Sequence, residues 1–300
     1  MSKRSDAPLG DVTVVSLATN LPGPVAAARL ASLGASVTKV EPPAGDQLKV
    51  VAPSWYEELV VGQHVVTLDL KDPVGSSSLA ALIADADVVL TAMRPSALAR
   101  LGLTEIVERH GVVLVEIVGY DGDRADEAGH DLTYQAVQGT VHAPELPLVP
   151  VVDLLGAERA VNAALVGLRR RDRSGAGAHL RVILDDLAWH ASAAVRHGLT
   201  GPGTVLGGGL PTYGMYATTD GYVAVAALEP HFAERLTAAV GQTREELAAR
   251  FATKPSAHWE SLGRSLDIPV VAVHEPRTVA VHEPRTVAVH EPRTVAASDA

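Results

Sequence analysis

Apolar and polar positions along the first two hundred residues fall into short blocks that read alternately as strands and helices. Residues 12–18 read as a buried strand, closed by the loop Thr19-Asn20-Leu21-Pro22-Gly23-Pro24. Pro24 suits a first helical turn, where a missing N–H costs nothing, so residues 24–33 predict a helix that Gly34 ends. Further strands are predicted at 37–40, 65–70, 88–91 and 112–118, with helices at 75–84 and 96–101 between them. Such alternation with short connections predicts a parallel, doubly wound sheet. The pattern continues with a helix over 132–137 and an extended connection marked by Pro144, Pro147 and Pro150. A long helix over 151–171, a strand over 180–184 and a helix over 187–197, capped by Asp185-Asp186, complete this part.

The pattern then changes. Residues 200–211, with Gly207-Gly208-Gly209, read as a linker or crossover. Two alternating runs, 213–218 and 222–228, flank Thr219-Asp220-Gly221 and predict a hairpin. Helices over 230–240, 244–251 and 256–266 follow. The expected organisation is a large α/β domain over 8–200, a smaller α+β domain over 201–270 and a tail over 271–300. The tail carries Val-Ala-Val-His-Glu-Pro-Arg-Thr three times, starting at Val271, Val279 and Val287. The eight-residue period puts histidines at 274, 282 and 290, but one His and one Glu per copy match a metal array poorly. A low-complexity extension is the simpler reading, and three copies are few for a solenoid.

Composition narrows the class. Three hundred residues suffice for one large domain, or one large and one small. Aromatic residues make up only 4%, so the core must be built mainly from Ala, Val and Leu. A formal charge of −10 argues against nucleic acid or an anionic membrane as the main partner; a polyanionic ligand would need a local basic patch. The absence of cysteine excludes disulfides, thiolate metal sites and thiol nucleophiles. Met1-Ser2-Lys3-Arg4-Ser5-Asp6 is followed by no apolar segment of signal-peptide type, and no apolar run reaches the ~18 residues of a membrane span. A cytoplasmic protein is the expectation.

Candidate chemistry is concentrated between Gly129 and Gly156. Gly129-His130-Asp131-Leu132-Thr133-Tyr134 and Val152-Asp153-Leu154-Leu155-Gly156 place a histidine and a carboxylate on either side of the Pro-broken connection. Taken alone, His130 reads as a surface or satisfied core histidine, and Asp153 as a first-turn partner of its helix dipole. The first strand–loop–helix unit lacks G-x-G-x-x-G, and no G-x-x-x-x-G-K-[ST] loop occurs, so neither phosphate-binding fingerprint is present. The helix start at Pro24 can still face an anion through its free N–H groups, or be a plain tight turn. The run Arg169-Arg170-Arg171-Asp172-Arg173 reads as solvated charge complementing a helix C-terminus.

Several segments together resemble the class III CoA-transferase family, in particular its α-methylacyl-CoA racemases. They are Pro8-Leu9-Gly10-Asp11-Val12, the Pro22-Gly23-Pro24 loop, the stretch from Leu33 to Pro43, Leu68-Asp69-Leu70-Lys71, and Arg94-Pro95 followed by Leu101-Gly102-Leu103. The Gly129–Tyr134 motif, Asp153, Tyr213-Gly214-Met215-Tyr216, Asp220-Gly221-Tyr222 and Glu229-Pro230-His231-Phe232 extend the match to about Leu236. The resemblance implies a Rossmann-like large domain, a small domain and an interlocked homodimer. It also implies a coenzyme A thioester as substrate, with no permanently bound cofactor and no metal. By the same resemblance Asp153 is the catalytic carboxylate, and His130, oriented by Glu229, is its opposite number. Asp131 and Tyr134 would lie along the CoA moiety, and Arg94 would meet its phosphates.

A thioester α-hydrogen is weakly acidic, and inverting the α-carbon needs a base on one face and an acid on the other. The His–carboxylate pair fits that task, which makes a 2-methylacyl-CoA racemase or epimerase the first reading. The alternative is CoA transfer, in which Asp153 attacks the thioester and forms a mixed anhydride. A third reading is a non-catalytic CoA-binding or scaffold homologue. It attaches to three departures from the family pattern: Pro42 after Glu41, Gln63-His64 where a basic pair is usual, and the octapeptide repeat where a longer C-terminal segment is usual.

Overall fold

The computed structural model describes residues 7–276. Within them the chain divides into two compact units, with the division between Trp189 and His190.

The first unit is built on six strands: β1 Thr13–Ser16, β2 Ser36–Glu41, β3 His64–Thr67, β4 Val88–Thr91, β5 Val113–Val118 and β6 Ala178–Ile183. All neighbouring pairs are parallel, in the order β3-β2-β1-β4-β5-β6. The register is set by apolar residues: Val14 lies opposite both Val37 and Val88, and Val88 opposite Val113. Strands β4 and β5 are buried throughout, which is why they read as near-continuous apolar runs, interrupted by Glu116 in β5 and ending in Thr91 in β4, rather than alternating ones.

Helices cover both faces. They are α1 Pro22–Ser32, α2 Leu48–Val51, α3 Pro53–Leu59, α4 Pro73–Ala84, α5 Pro95–Arg100, α6 Leu103–His110, α7 Asp131–Val137, α8 Val151–Ser174 and α9 Leu184–Ala191. On one face α1 and α8 pack Ala26, Ala27, Leu30, Ala157, Ala160 and Ala164 against Val14, Val113 and Val115. Small alanines on both helices let them approach the sheet closely, as the scarcity of aromatics requires. On the other face α4, α5 and α6 supply Leu79, Ile83, Leu98, Leu103 and Val107 over Val15, Val89 and Leu114. Side chains two apart on a strand share a face, so Val14 and Val15 feed opposite cores.

Two expectations need correction. The helix after β6 starts at Leu184, directly from the strand, so Asp185 and Asp186 lie in its first turn and do not cap it. The Asp185 N–H donates to the Gly119 carbonyl at 3.0 Å, which ties this start to the end of β5. The predicted single helix over 187–197 is two helices, α9 and the short α10 Ala193–Arg196, separated by the buried Ser192. The glycine-rich 205–209 stretch is an irregular turn with Gly208 at a positive φ, and the Arg244 guanidinium holds it by donating to the carbonyls of Gly208 and Leu210 at 2.6 and 2.8 Å.

The second unit carries a three-stranded antiparallel sheet, β7 Tyr213–Ala217, β8 Tyr222–Ala226 and β9 Val270–Ala272, with β8 in the middle. Helices α11 Pro230–Ala239, α12 Arg244–Phe251 and α13 Ser256–Leu266 complete it. Tyr216, Phe251 and Trp259 form its aromatic centre, with ring centroids 5.1 and 5.0 Å apart, and the Trp259 indole donates to the Phe251 carbonyl at 2.9 Å. The hairpin turn is pinned by Asp220, which accepts from the Ser256 N–H at 2.7 Å and from the Thr218 hydroxyl at 2.9 Å. Val271 and Ala272, the first residues of the first repeat copy, belong to strand β9. His282 and His290 lie outside the described residues. No helix among the described residues is long and apolar enough to cross a membrane.

Candidate functional site

In an open parallel sheet, ligands bind beyond the carboxyl ends of the strands, where the strand order reverses. Here the reversal falls between β1 and β4, and a cavity of about 300 Å³ sits at that point. Thr19 and Asn20 after β1, Met93 and Arg94 after β4, and Gly119 after β5 contribute to its wall. His130, Tyr134 and Asp153 close it from the segment that follows β5. Four of the six predicted site residues therefore share one cavity: Asp153, His130, Tyr134 and Arg94.

Asp153 occupies the third position of α8, where the helix N-terminus by itself favours the ionised carboxylate. Two other effects oppose this. Burial, first, and the neighbouring charge of Asp131, second, push the Asp153 carboxyl up to about 6. Asp131 is placed differently from the sequence expectation. It is buried, its Oδ1 accepts from the Val152 and Asp153 amides at 2.7 and 3.2 Å, and its Oδ2 accepts from the Gln135 side chain at 2.6 Å. It satisfies the free N–H groups at the start of α8 and is not among the residues lining the cavity.

His130 precedes α7. Its backbone N–H accepts no role in the helix ladder; it donates to the Thr133 hydroxyl oxygen at 3.0 Å, while that hydroxyl donates back to the His130 carbonyl at 2.8 Å. Tyr134, one turn on, is buried, and burial raises its hydroxyl well above the ordinary phenol range. Its ring meets Tyr120 edge-on at 5.3 Å, and the Arg124 guanidinium lies 3.8 Å from the Tyr120 ring centre. A Cβ on Gly119 or Gly129 would run into the Tyr134 hydroxyl, so both positions admit only glycine while Tyr134 stays in place.

Arg94 is exposed and forms no ion pair among the described residues. The loop beneath it is fixed by Asp126, which accepts from the Ser96 N–H and hydroxyl at 3.3 and 2.7 Å. Glu229 belongs to the second unit, where it is exposed and its carbonyl accepts from the Phe232 and Ala233 amides at 3.0 Å. One member of the arginine run departs from the solvated reading. Arg171 pairs with Asp87 at 2.7 Å, at the amino end of β4 and so at the opposite edge of the sheet from the cavity.

Sequence reasoning left out Thr19, Asn20, Gly119 and Glu127 as cavity residues. The available signal was position alone: each lies just beyond a strand's carboxyl end, or in the loop that follows it.

Comparison with known proteins agrees with this geometry. The model of CoA-transferase family III matches residues 9–295. The chain is similar to succinyl-CoA–D-citramalate CoA-transferase of Chloroflexus aurantiacus, with 31% identity covering 84% of this chain and 69% of the relative. It is similar to α-methylacyl-CoA racemase of Homo sapiens, with 30% identity covering 80% and 66%. The chain thus spans about two thirds of the length of these relatives. In fold it matches the crystal structure of a hypothetical protein from Mycobacterium tuberculosis at a TM-score of 0.77, with 24% identity over 90% of this chain and 86% of that one. Taken with the cavity at the strand-order reversal and the carboxylate within it, these matches show that the chain belongs to CoA-transferase family III.

Proposed function

We propose that Asp153 is the reacting carboxylate of an acyl-CoA site and that the reaction is 1,1-proton transfer at the thioester α-carbon, as in a 2-methylacyl-CoA racemase. The observation that carries this reading is the Asp153 carboxyl, raised to about 6, sharing one cavity with His130. One group takes the α-proton and leaves a thioester enolate; the other returns a proton to the opposite face. A carboxyl raised to about 6 both takes and returns a proton near neutral pH more readily than an ordinary aspartate does. The cavity takes the thioester and its acyl group, Arg94 offers a fork of donors to phosphate oxygens, and the nucleotide extends outside. The β3-β2-β1-β4-β5-β6 order supports describing the large unit as Rossmann-like. The homodimer implied by the resemblance belongs to the same reading; Leu165 and Val166, exposed on α8, offer apolar surface for it.

CoA transfer is the second reading, favoured by the similarity to the citramalate transferase. There the same carboxylate attacks the thioester carbon, the CoA thiolate leaves, and Asp153 becomes a mixed anhydride. One experiment separates the two: incubation with a 2-methylacyl-CoA in deuterated water, for wild type and Asp153→Asn. Deuterium entering the α-position, and failing to enter with Asp153→Asn, supports proton transfer. CoA passing to a free carboxylic acid without exchange establishes transfer, and full activity of Asp153→Asn overturns the assignment of Asp153.

A further inference from the structure

Beneath the β1–α1 loop lies a charge cluster that the reading above does not use. Lys39, on β2, is 1% exposed. It shares its sheet face with Val37 and so faces the α1 layer. Its Nζ stands 2.7 Å from Asp46 Oδ2, 3.5 Å from Glu41 Oε1 and 3.3 Å from the Ala18 carbonyl oxygen. Asp46, also 1% exposed, accepts on its other oxygen from the Leu48 N–H at 2.9 Å and the Asn20 N–H at 3.3 Å. Glu41 in turn accepts from the Tyr56 hydroxyl at 2.7 Å.

A buried ion pair of this kind is a costly way to gain stability, so what it holds is informative. It holds both peptide groups around Thr19: Lys39 takes the carbonyl of the preceding one, and Asp46 takes the N–H of the following one. Asn20 is held at a φ of +67°, in the left-handed region that a non-glycine residue enters at some cost. In a trans peptide the carbonyl and N–H point in opposite directions. With the Ala18 carbonyl drawn down to Lys39, the Thr19 N–H is turned away from the cluster, and it has no hydrogen-bond partner among the described residues. Thr19 and Asn20 both line the cavity that contains Asp153.

We infer that Lys39 and Asp46 are positioning residues that aim the Thr19 N–H at the thioester oxygen of the bound substrate. The inference rests on the acyl-CoA reading of Asp153 but not on the choice between its two reactions. Negative charge develops on that oxygen in both, as an enolate in proton transfer and as a tetrahedral oxyanion in CoA transfer. A preorganised backbone donor stabilises either one more than the ground-state carbonyl.

The test is a double-mutant cycle on kcat and KM for a CoA thioester substrate, using Thr19→Pro, which deletes the N–H, and Asp46→Asn, which loosens the clamp. Each single variant is expected to lose roughly 10- to 1000-fold in kcat with KM changed less than about threefold. The double variant is expected to be no slower than Thr19→Pro alone, because Asp46 acts through that N–H. Multiplicative losses, or a loss confined to KM, overturn the inference. If Asp46→Asn does not fold, Thr19→Pro decides alone, since it leaves the ion pair intact; an unchanged kcat there also overturns it. Failure of the Asp153 reading looks different: Asp153→Asn then keeps its activity whatever the cycle shows.

Discussion

Asp131 caps the helix that carries Asp153, and the same carboxylate that closes the helix start raises its neighbour's pKa. The cap contacts are 2.7 and 3.2 Å, to the amides of Val152 and Asp153. Burial is the larger cause of the raised Asp153 carboxyl and the Asp131 charge is the second. Asp131→Asn keeps an acceptor oxygen for the cap while removing the charge. It is expected to lower the Asp153 pKa, moving the acidic limb of kcat/KM to lower pH, with a stability loss of about 1 kcal/mol because the new NH2 meets the Gln135 side-chain NH2. Asp131→Ala also deletes the cap and should cost about 1 kcal/mol in addition. A pH–rate profile and thermal melts of the two variants check both parts.

Asp153 itself is expected to destabilise the native protein at neutral pH. Its carboxyl titrates from an ordinary 3.8 to about 6 on folding. Between those values the folded state binds more protons than the unfolded one, so stability falls as pH rises through this window. Above pH 7 the penalty is complete. At about 1.4 kcal/mol per pH unit, and allowing for partial solvent access, it amounts to roughly 2 kcal/mol. Asp153→Asn should therefore melt a few degrees higher than wild type at pH 7.5, with the difference vanishing near pH 4. A lower melting temperature at pH 7.5 would show that the carboxylate is held by a partner instead.

The shape of the pH profile separates the two reactions. Proton transfer requires one proton shared between Asp153 and His130. The two working forms, aspartate with imidazolium and aspartic acid with imidazole, hold the same number of protons. Both directions should then give the same bell in kcat/KM, because the pair is inactive both when doubly protonated and when it holds no proton. CoA transfer needs only ionised Asp153 and predicts a single rising limb at about 6. Measurement from pH 5 to 9 in both directions distinguishes them.

How much of this was legible in the sequence depended on whether a feature is local. Strands β4 and β5 were read almost to the residue because burial on both faces makes them near-continuous apolar runs. The hairpin around Asp220-Gly221 was legible from its turn chemistry. Helices α2 and α3 were missed, since too few apolar positions recur at helical spacing to mark them, whereas α6 was passed over although Leu103, Ile106 and Val107 do recur at that spacing. Asp131 was assigned to the CoA moiety because the family motif contains it; that its carboxylate faces an amide 22 residues further on is a tertiary fact. Lys39 carried one overlooked signal, a lysine that period-two alternation puts on the same strand face as Val37. Its partner Asp46 lies seven residues away in a loop that periodicity does not describe.

Gly129 is expected to tolerate no side chain, for a reason that bears on catalysis. A Cβ there would fall on the Tyr134 hydroxyl and lie 2.5 and 2.6 Å from Cε1 and Cζ, and Tyr134 is backed by Tyr120 at 5.3 Å. The ring cannot retreat without opening the core at Tyr120, which is itself buried. Gly129→Ala should therefore cost about 1–3 kcal/mol as an overpacked site and displace His130, the next residue. Activity is expected to fall more than stability, because a misplacement of about 1 Å at a reacting group can cost on the order of 100-fold in rate. Truncating the ring in the same chain, as Gly129→Ala with Tyr134→Leu, removes the hydroxyl and the far ring carbon that the new Cβ would strike. It should recover part of the melting temperature. If the double variant melts no higher than Gly129→Ala alone, the clash with Tyr134 is not what makes this glycine necessary.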